Sequence, residues 1–287
     1  MLRVRRVLAP NPGVLTLEGT NTWIVGSSPS IVIDPGPDDA AHLDEVAGEA
    51  RPAAAVVVTH DHPDHAPGAP ALSERLGARL LAFRLPGAER LRAGQRISAG
   101  GVELTAVHTP GHTADHVAFF ERTARALFTG DAVVGRGTSF IDPPGGDLLR
   151  YLRSLQRMLD LDSRTIYPGH GPVVLRARAK LEEYLAHRLE REHQIVSALD
   201  EGARSIAELV ASIYEDYPPE VHPLAARSVL AHLLKLEHEG HVARSTRAED
   251  GPWERSTPRA CARCGRPVTG RARYCRSCSL AILQGKE

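Results

Sequence analysis

The chain has 287 residues, 42% of them hydrophobic, and its 35 basic side chains balance its 35 acidic ones. This length allows two modest domains or one large domain with appendages, and the apolar content is that of a globular protein with a sizeable core, which excludes a chain too polar to fold. No apolar run reaches the roughly 18 residues of a membrane span, and the N-terminus lacks the apolar core of a secretory signal, so we expect a cytoplasmic protein without membrane contact.

The first 170 residues alternate short apolar runs with turn residues and amphipathic segments. The segments DAAHLDEVAGEA and LLRYLRSLQRMLDL have the apolar spacing of helices. The segments predicted as strands are SIVIDPG, AAVVVTH, ARLLAF, VELTAVHTPGH, HVAFFE, RALFTGD and RTIYPGH. This pattern predicts an α/β domain with its functional site along one rim of the sheet, where the strands end.

The next 70 residues predict a small helical domain. A long helix over residues 176–202 is followed by a helix that Ser205 caps and by a second helix that Gly240 closes, before a short strand. Two helices followed by a β-wing are typical of a winged helix. Such a domain either binds nucleic acid or serves packing, for instance in a homodimer, and the pattern leaves both open.

The stretch VVVTHDHPDH, residues 56–65, places a strand-like run directly before four potential metal ligands. His60 and His62 point the same way if the backbone is extended, because side chains alternate along a strand. Asp64 and His65 follow Pro63, which helps the chain to bend. One loop can therefore offer two imidazoles to one cation and a carboxylate with an imidazole to a second.

Three further ligand-type residues each follow a glycine at the end of a predicted strand: His112, Asp131 and His170. A single histidine at such a place is usually structural. Seven ligand-type residues at four strand ends of one α/β pattern instead predict a dinuclear metal site.

In this order, HxHxDH, TPGHT, GD and YPGHG resemble the metallo-β-lactamase superfamily, and the similarity runs from about LEGTNTWIVG to YPGHG. The resemblance implies an αβ/βα sandwich with two divalent metals, expected to be Zn²⁺, at one edge. His60, His62 and His112 would hold one metal, Asp64, His65 and His170 the other, and Asp131 would bridge them. One departure is that Ala66-Pro67-Gly68 replaces the usual glycine pair after the DH motif.

Two such metals would allow a bridging hydroxide to attack the substrate at neutral pH. We expect Asp131 to set the metal spacing and Asp64 to orient the nucleophile. His116 is a candidate for proton transfer, although solvation of its loop is the simpler interpretation, which also applies to Asp61. For Asp34, which ends a strand, we expect a structural or ligand-orienting role. The body has no cysteine to serve as a metal ligand, so β-lactamase activity itself is not expected.

The GRGTSF segment and the following helical region resemble the β-lactamase-like protein 2 branch of the superfamily. This implies a phosphodiesterase, an endoribonuclease that acts on single-stranded RNA. A thioesterase resembling glyoxalase II, or another hydrolase of small esters, is the first alternative. A nucleic-acid-binding protein with a vestigial site is the second, and the complete ligand set argues against it.

The C-terminal tail contains all four cysteines and is strongly basic. The paired CxxC motifs predict a zinc ribbon with one structural Zn²⁺ held by four thiolates, at Cys261, Cys264, Cys275 and Cys278. Residues 251–287 carry a net charge of +6, which favours contact with nucleic-acid phosphates or, alternatively, a solvated or protein-docking surface. A body without cysteines fits a reducing compartment.

We therefore predict four segments. Residues 1–175 form the catalytic domain and residues 176–248 the winged-helix domain. Residues 249–258, which are polar with glycine and proline, form a linker, and residues 259–282 form the zinc ribbon.

Overall fold

The computed structural model describes residues 2–246 and 251–256, and of residues 259–260 and 267–268 only the backbone. The chain divides into two compact units, Met1–Ala186 and His187–Glu287. The division falls inside a helix, somewhat after the predicted boundary at residue 175. The four cysteines of the predicted zinc ribbon lie outside the described residues, so the ribbon stays a prediction.

The first unit contains a six-stranded sheet with the strand order β1-β2-β3-β4-β5-β6. The strands are β1 Val4–Leu8, β2 Asn21–Val25, β3 Ser30–Ile33, β4 Ala53–Val57, β5 Arg79–Ala82 and β6 Glu89–Arg90. Strands β3 to β6 run parallel, whereas β1 and β2 are antiparallel additions. Helices α1 (Ala40–Ala50) and α2 (Ala69–Leu76) form the connections between the parallel strands.

The second sheet has five strands in the order β11-β10-β9-β8-β7. They are β7 Arg96–Ala99, β8 Val102–His108, β9 Val117–Glu121, β10 Ala126–Gly130 and β11 Thr165–Pro168. Strands β10 and β11 are parallel, and β9 is antiparallel to both β8 and β10. The strands β8, β10 and β11 therefore all run toward the same edge.

The two sheets pack face to face around one apolar core, to which Trp23, Ile33 and Val57 contribute from the first sheet and Leu104 and Phe128 from the second. The alternate residues of the first sheet, such as Ile24, Val32 and Val56, pack against α1 and α2 instead. This division follows from the alternation of side chains along a strand.

Helix α3 (Leu148–Asp160) belongs to the second half of the sandwich. Its Tyr151 hydroxyl donates to the Ala132 carbonyl at 2.7 Å, and its Ser154 hydroxyl donates to the Pro110 carbonyl at 2.7 Å. Helix α3 thereby anchors the loops that follow β8 and β10. The predicted αβ/βα sandwich is confirmed.

The second unit contains the end of helix α4 (Ala177–Asp200), helix α5 (Ile206–Ile213), a short 3₁₀ turn and helix α6 (His222–Glu239). Ser205 caps α5 with a complete capping box, and Gly240 closes α6 at φ 80°, as the sequence predicted. Strands β12 (Val242–Arg244) and β13 (Trp253–Arg255) form an antiparallel wing.

The linker prediction is wrong for Trp253–Arg255. These residues pair with β12, and the indole of Trp253 is buried at 1% exposure in the core of the winged helix. Their polar neighbours hide the strand, because only tertiary packing on β12 makes the segment extended. Beyond them, the backbones of β14 (Arg259–Ala260) and β15 (Pro267–Val268) pair antiparallel. Among the described helices, none is both long enough and apolar enough to cross a membrane.

Candidate metal centre

Four strands of the two sheets deliver the seven predicted ligands to one edge of the sandwich. The loop after β4 carries His60, His62, Asp64 and His65, while single ligands follow β8, β10 and β11. In the second sheet, β8 and β10 point the same way because both are antiparallel to β9. The structure therefore brings together the seven side chains that the sequence singled out, and their role as metal ligands stays a prediction.

The first cluster consists of His60, His62, His112 and Asp131. The Nδ1 atom of His62 lies 3.0 Å from Nε2 of His60 and 3.1 Å from Nε2 of His112. Oδ2 of Asp131 lies 3.7 Å from Nε2 of His112. Three imidazole nitrogens and one carboxylate oxygen thus converge on one point.

The second cluster consists of Asp64, His65, His170 and again Asp131. The Nε2 atoms of His65 and His170 are 3.2 Å apart, and Oδ1 of Asp131 lies 3.2 Å from each. Oδ2 of Asp64 lies 3.1 Å from Nε2 of His170. Asp131 therefore points one oxygen toward each cluster, as a bridging ligand would.

This arrangement fits a pair of metal ions. A tetrahedral ion with metal–nitrogen bonds of about 2.0–2.1 Å separates its ligand atoms by roughly 3.3 Å, close to the observed nitrogen–nitrogen distances. Oδ1 of Asp131 is buried, and the described atoms that approach it, Nε2 of His65 and Nε2 of His170 at 3.2 Å each, are themselves potential metal ligands. A buried carboxylate oxygen is costly unless it is paired, and a cation between these groups would pair it.

The far side of four of the five imidazoles is held by the protein. Nδ1 of His65 donates to Oδ2 of Asp34 at 2.9 Å, and Nδ1 of His60 lies 3.0 Å from the hydroxyl oxygen of Thr59. Backbone carbonyls bind the remaining two rings: Phe140 accepts from His112 at 2.9 Å, and Gly19 accepts from His170 at 3.2 Å. In the neutral form of these four rings, a proton on Nδ1 leaves the lone pair of Nε2 facing the cluster, whereas His62 faces it with Nδ1.

Asp34 is the centre of this outer layer. Its Oδ1 accepts from the backbone N–H of Thr59 at 2.7 Å, and its Oδ2 accepts from the Thr59 hydroxyl at 2.8 Å. The residue adopts a left-handed backbone, φ 52°, directly after β3. Through His65 it supports the second cluster, and through Thr59 and His60 the first. The sequence predicted a structural or ligand-orienting role for Asp34 but missed Thr59, which has no motif of its own.

His116 and Asp61 differ in exposure. His116 is completely buried; its Nδ1 lies 2.8 Å from the Thr109 hydroxyl, and its Nε2 has no hydrogen-bond partner among the described residues. Its ring centroid is 5.1 Å from that of His60, which suits support of a ligand better than exchange of protons with solvent. Its proton-transfer role stays a prediction. Asp61 is exposed, in keeping with simple solvation.

One glycine is required by the close packing of the centre. A Cβ atom on Gly169 would lie 2.6 Å from Oδ1 of Asp131 and 2.7 Å from Cε1 of His65. No side chain fits there without displacing a ligand, so the glycine of the YPGH segment is a steric requirement of the cluster.

The electrostatics of the two clusters differ. Burial disfavours the charged form of Asp131, but the positive charge of His65 and contact with His170 outweigh it and hold the Asp131 pKa well below its usual range. Burial likewise opposes protonation of His65 and His170. Asp131 with Asp34 nevertheless raises the His65 pKa well above its usual range, and Asp131 with Asp64 raises the His170 pKa to about 9.

In the first cluster, by contrast, the effects that oppose protonation of His60 outweigh the attraction of Asp131. Burial, together with the charges of His65 and His112, lowers the pKa of His60 well below its usual range. The first cluster therefore offers a neutral imidazole at His60, whereas the second holds protons that a cation would have to displace.

Comparisons with known proteins agree with this site. The family model "Metallo-beta-lactamase superfamily" matches residues 15–170, and the model "Beta-lactamase associated winged helix domain" matches residues 205–253. The chain is 34% identical over 275 residues to the β-lactamase-like protein 2 homolog of Drosophila melanogaster, covering 86% of this chain and 92% of that protein.

Two further comparisons concern a relative with a named activity and a solved structure with a similar fold. An atrochrysone carboxyl ACP thioesterase of Aspergillus chevalieri is 36% identical over 259 residues, covering 84% of this chain and 83% of that protein. The crystal structure of a β-lactamase domain protein from Burkholderia ambifaria has a TM-score of 0.77 at 23% identity and covers 88% of this chain and 91% of that one. At that identity the likeness concerns the fold alone.

Proposed function

The chain belongs to the metallo-β-lactamase superfamily of hydrolases, and we propose that it hydrolyses thioesters with two divalent metal ions, most suitably Zn²⁺. The observation that carries the proposal is the pair of His/Asp clusters that share Asp131. We assign His60, His62 and His112 to one ion, Asp64, His65 and His170 to the other, and Asp131 to both.

Two such ions supply Lewis acidity at a carbonyl and make water more acidic near neutral pH. The chain contributes orientation. Asp64 has the most exposed side chain of the second cluster, at 25%, whereas those of His65 and His170 are almost fully buried. We therefore assign Asp64 the task of accepting a hydrogen bond from the attacking water on the side open to solvent, and Asp131 the task of fixing the spacing of the two clusters.

Two observations support the thioester as substrate: a relative that is named a thioesterase, and exposed apolar side chains in the segment before Gly19. The Aspergillus relative is named a thioesterase, and its alignment, at 84% of this chain, is too long to end with the catalytic domain. In this chain the segment that ends at Gly19, the carbonyl partner of His170, exposes Val14 at 81% and Leu15 at 52%. Exposed apolar side chains four to five residues before this contact with a cluster histidine would suit an acyl chain.

The test is turnover of acyl-coenzyme A and acyl-N-acetylcysteamine thioesters by the zinc-loaded protein. We expect His62→Ala to lose the activity together with bound metal. Asp61→Asn is the matched control, because Asp61 lies in the same loop but is exposed, and it should keep both. The proposal fails if the zinc-loaded protein turns over no thioester, or if His62→Ala turns it over as fast as the parent.

A second candidate is endonucleolytic cleavage of single-stranded RNA. The resemblance to the β-lactamase-like protein 2 branch and the basic tail favour it. The described residues of the second unit, 187–246 and 251–256, carry eleven acidic side chains but only seven lysines and arginines. A net charge of −4 does not suit a phosphate-binding surface, so RNA binding would depend on residues 257–287.

Labelled single-stranded RNA, tested with the same two variants, distinguishes this candidate. Cleavage that His62→Ala abolishes and Asp61→Asn retains would favour the nuclease. Deletion of residues 257–287 should then weaken RNA binding and flatten its salt dependence. Equal cleavage by the parent and by His62→Ala would indicate a contaminating nuclease.

A further inference from the structure

A polar hollow lies at the opposite end of the first sheet from the metal centre. Strands β3 and β4 run parallel, and their C-terminal ends lead to Asp34 and His60. The hollow is lined by residues at the other ends of these strands, including Ser30 and Pro52. Ser30 and Asp34 are four residues apart along an extended chain, which separates the two places by roughly 13 Å.

Three arginines and one acidic residue line this hollow, which we call the distal arginine pocket: Arg3, Arg5, Arg51 and Glu49. Arg3 and Arg5 lie two residues apart around strand β1 and so project from the same face. The charged lining carries a net charge of +2, and serine hydroxyls and backbone complete the wall.

Several donors in the pocket are not used by the protein. Nη1 of Arg5 donates to Glu49 at 2.8 Å, but its Nε is buried and has no acceptor among the described residues. The guanidinium of Arg3 and the hydroxyls of Ser27 and Ser28 form no side-chain hydrogen bond or ion pair within the described part of the chain, whereas the Ser30 hydroxyl is already bound to the Ala50 carbonyl. A buried N–H without an acceptor is costly, and a bound anion would supply the acceptor.

The pocket has the size of a small-molecule site. Its volume is about 290 Å³, and a neighbouring hollow of about 400 Å³ shares Arg3 and Ser27 with it. The neighbouring wall is less charged and includes Leu2 and Val102. One hollow thus offers cationic donors and the next a partly apolar wall, which matches a ligand with an anionic group attached to a larger neutral body.

We propose that the distal arginine pocket binds the phosphate group of a small phosphorylated molecule. A tetrahedral phosphate has several acceptor oxygens, and arginine is suited to bidentate bonds with phosphate. Arg3 and Arg5 would donate to it, and so would the nitrogens of Arg51 other than Nη2, which donates to the Arg75 carbonyl at 3.2 Å. The hydroxyls of Ser27 and Ser28 would bind the remaining oxygens. The site is separate from the metal centre and does not depend on which bond that centre cleaves.

The test is isothermal titration of the full-length, zinc-loaded protein with AMP, with adenosine as the ligand that lacks the phosphate. We expect saturable binding of AMP and none of adenosine. Arg5→Gln and Arg51→Gln should each raise the Kd for AMP by about tenfold or more, since a hydrogen bond to a charged group is lost. Arg92→Gln, an exposed arginine outside the pocket, should leave the Kd unchanged.

Because phosphate can also bind metal ions, His62→Ala serves as a further control and should retain AMP binding. Ser27→Asp keeps all three arginines but places a carboxylate in the pocket, and it should also abolish binding, so the test does not depend on arginine variants that fold poorly. Any of three results would overturn the proposal: no saturable binding of AMP, binding lost in His62→Ala but kept in the arginine variants, or equal loss in Arg92→Gln.

Discussion

At the scale of single residues, Asp34 links the two halves of the metal centre. Its Oδ2 accepts from both His65 and Thr59, and the Thr59 hydroxyl in turn lies beside Nδ1 of His60. One carboxylate therefore orients a histidine of each cluster. Residues that hold ligands in this way usually affect metal affinity by about 10–100-fold.

We predict that Asp34→Asn weakens the binding of both ions by about 10–100-fold, because an amide offers one acceptor oxygen where the carboxylate offers two. Thr59→Ala should mainly weaken the first ion, since His65 keeps its bond to Asp34. Competition titrations with a chromogenic zinc chelator measure both effects. Equal effects of the two substitutions on both ions would contradict this division of roles.

The pH dependence of metal binding follows from His170, whose pKa is raised to about 9. Below pH 9 the metal-free protein carries a proton there that the ion must displace. Affinity for Zn²⁺ should therefore rise as the pH increases from 6 toward 9, with release of protons. Calorimetry in buffers of different ionisation enthalpy counts those protons, and a pH-independent affinity over this range would refute the assignment of His170.

At the scale of elements, the sequence predicted most of the strands that form the core, though not β2. β3 and β4 are almost continuous apolar runs, as befits strands covered on both faces, and β8 to β11 end in recognisable turn residues. It missed β1, β6 and β7, whose polar, exposed or partly exposed residues carry no clear period, and α2, which has only eight residues. It also missed the fully buried β2, which no strand prediction covered. These elements form because their neighbours supply the missing hydrogen bonds and apolar contacts.

Helix α5 depends on its first turn, where Ser205 and Glu208 form a capping box. The Ser205 hydroxyl accepts from the Glu208 N–H at 3.2 Å, while the Glu208 carboxylate accepts from the Ser205 N–H at 2.7 Å. Ser205→Ala should destabilise the second unit by about 1 kcal/mol. Amide hydrogen exchange in the first turn of α5 reports this loss. Ser212→Ala, an exposed serine late in the same helix, should show no such loss.

At the scale of the whole molecule, the motifs were sufficient to predict which side chains meet at the metal centre, but not what orients them. The seven ligand-type residues stand out because imidazoles and carboxylates after glycines and strands are recognisable by type. The carbonyls of Gly19 and Phe140 are equally close to the centre, yet every residue has a carbonyl. Such partners depend on the path of distant loops, which local sequence does not specify.

The winged-helix unit and the C-terminal tail differ in the sign of their net charge. The described residues of the winged-helix unit are acidic, whereas residues 251–287 carry a net charge of +6. The winged helix alone is therefore weak evidence for nucleic-acid binding, and a named thioesterase aligns over 84% of this chain. RNA binding by the tail, and not by the winged helix, is therefore the property that distinguishes RNA from a thioester as the substrate.

The metal content of the full chain tests the two predicted kinds of site together. Two ions in the catalytic clusters and one in the predicted zinc ribbon require about three metals per chain. Replacing Cys261 and Cys264 together with serine should remove one metal and leave thioester hydrolysis unchanged, because the two clusters formed by the described residues consist of histidine and aspartate side chains. His62→Ala should instead remove catalytic metal and activity while the tail keeps its ion. Elemental analysis of the three proteins distinguishes these results: two metals in the parent chain would contradict the ribbon, and an inactive cysteine variant would contradict the independence of the two sites.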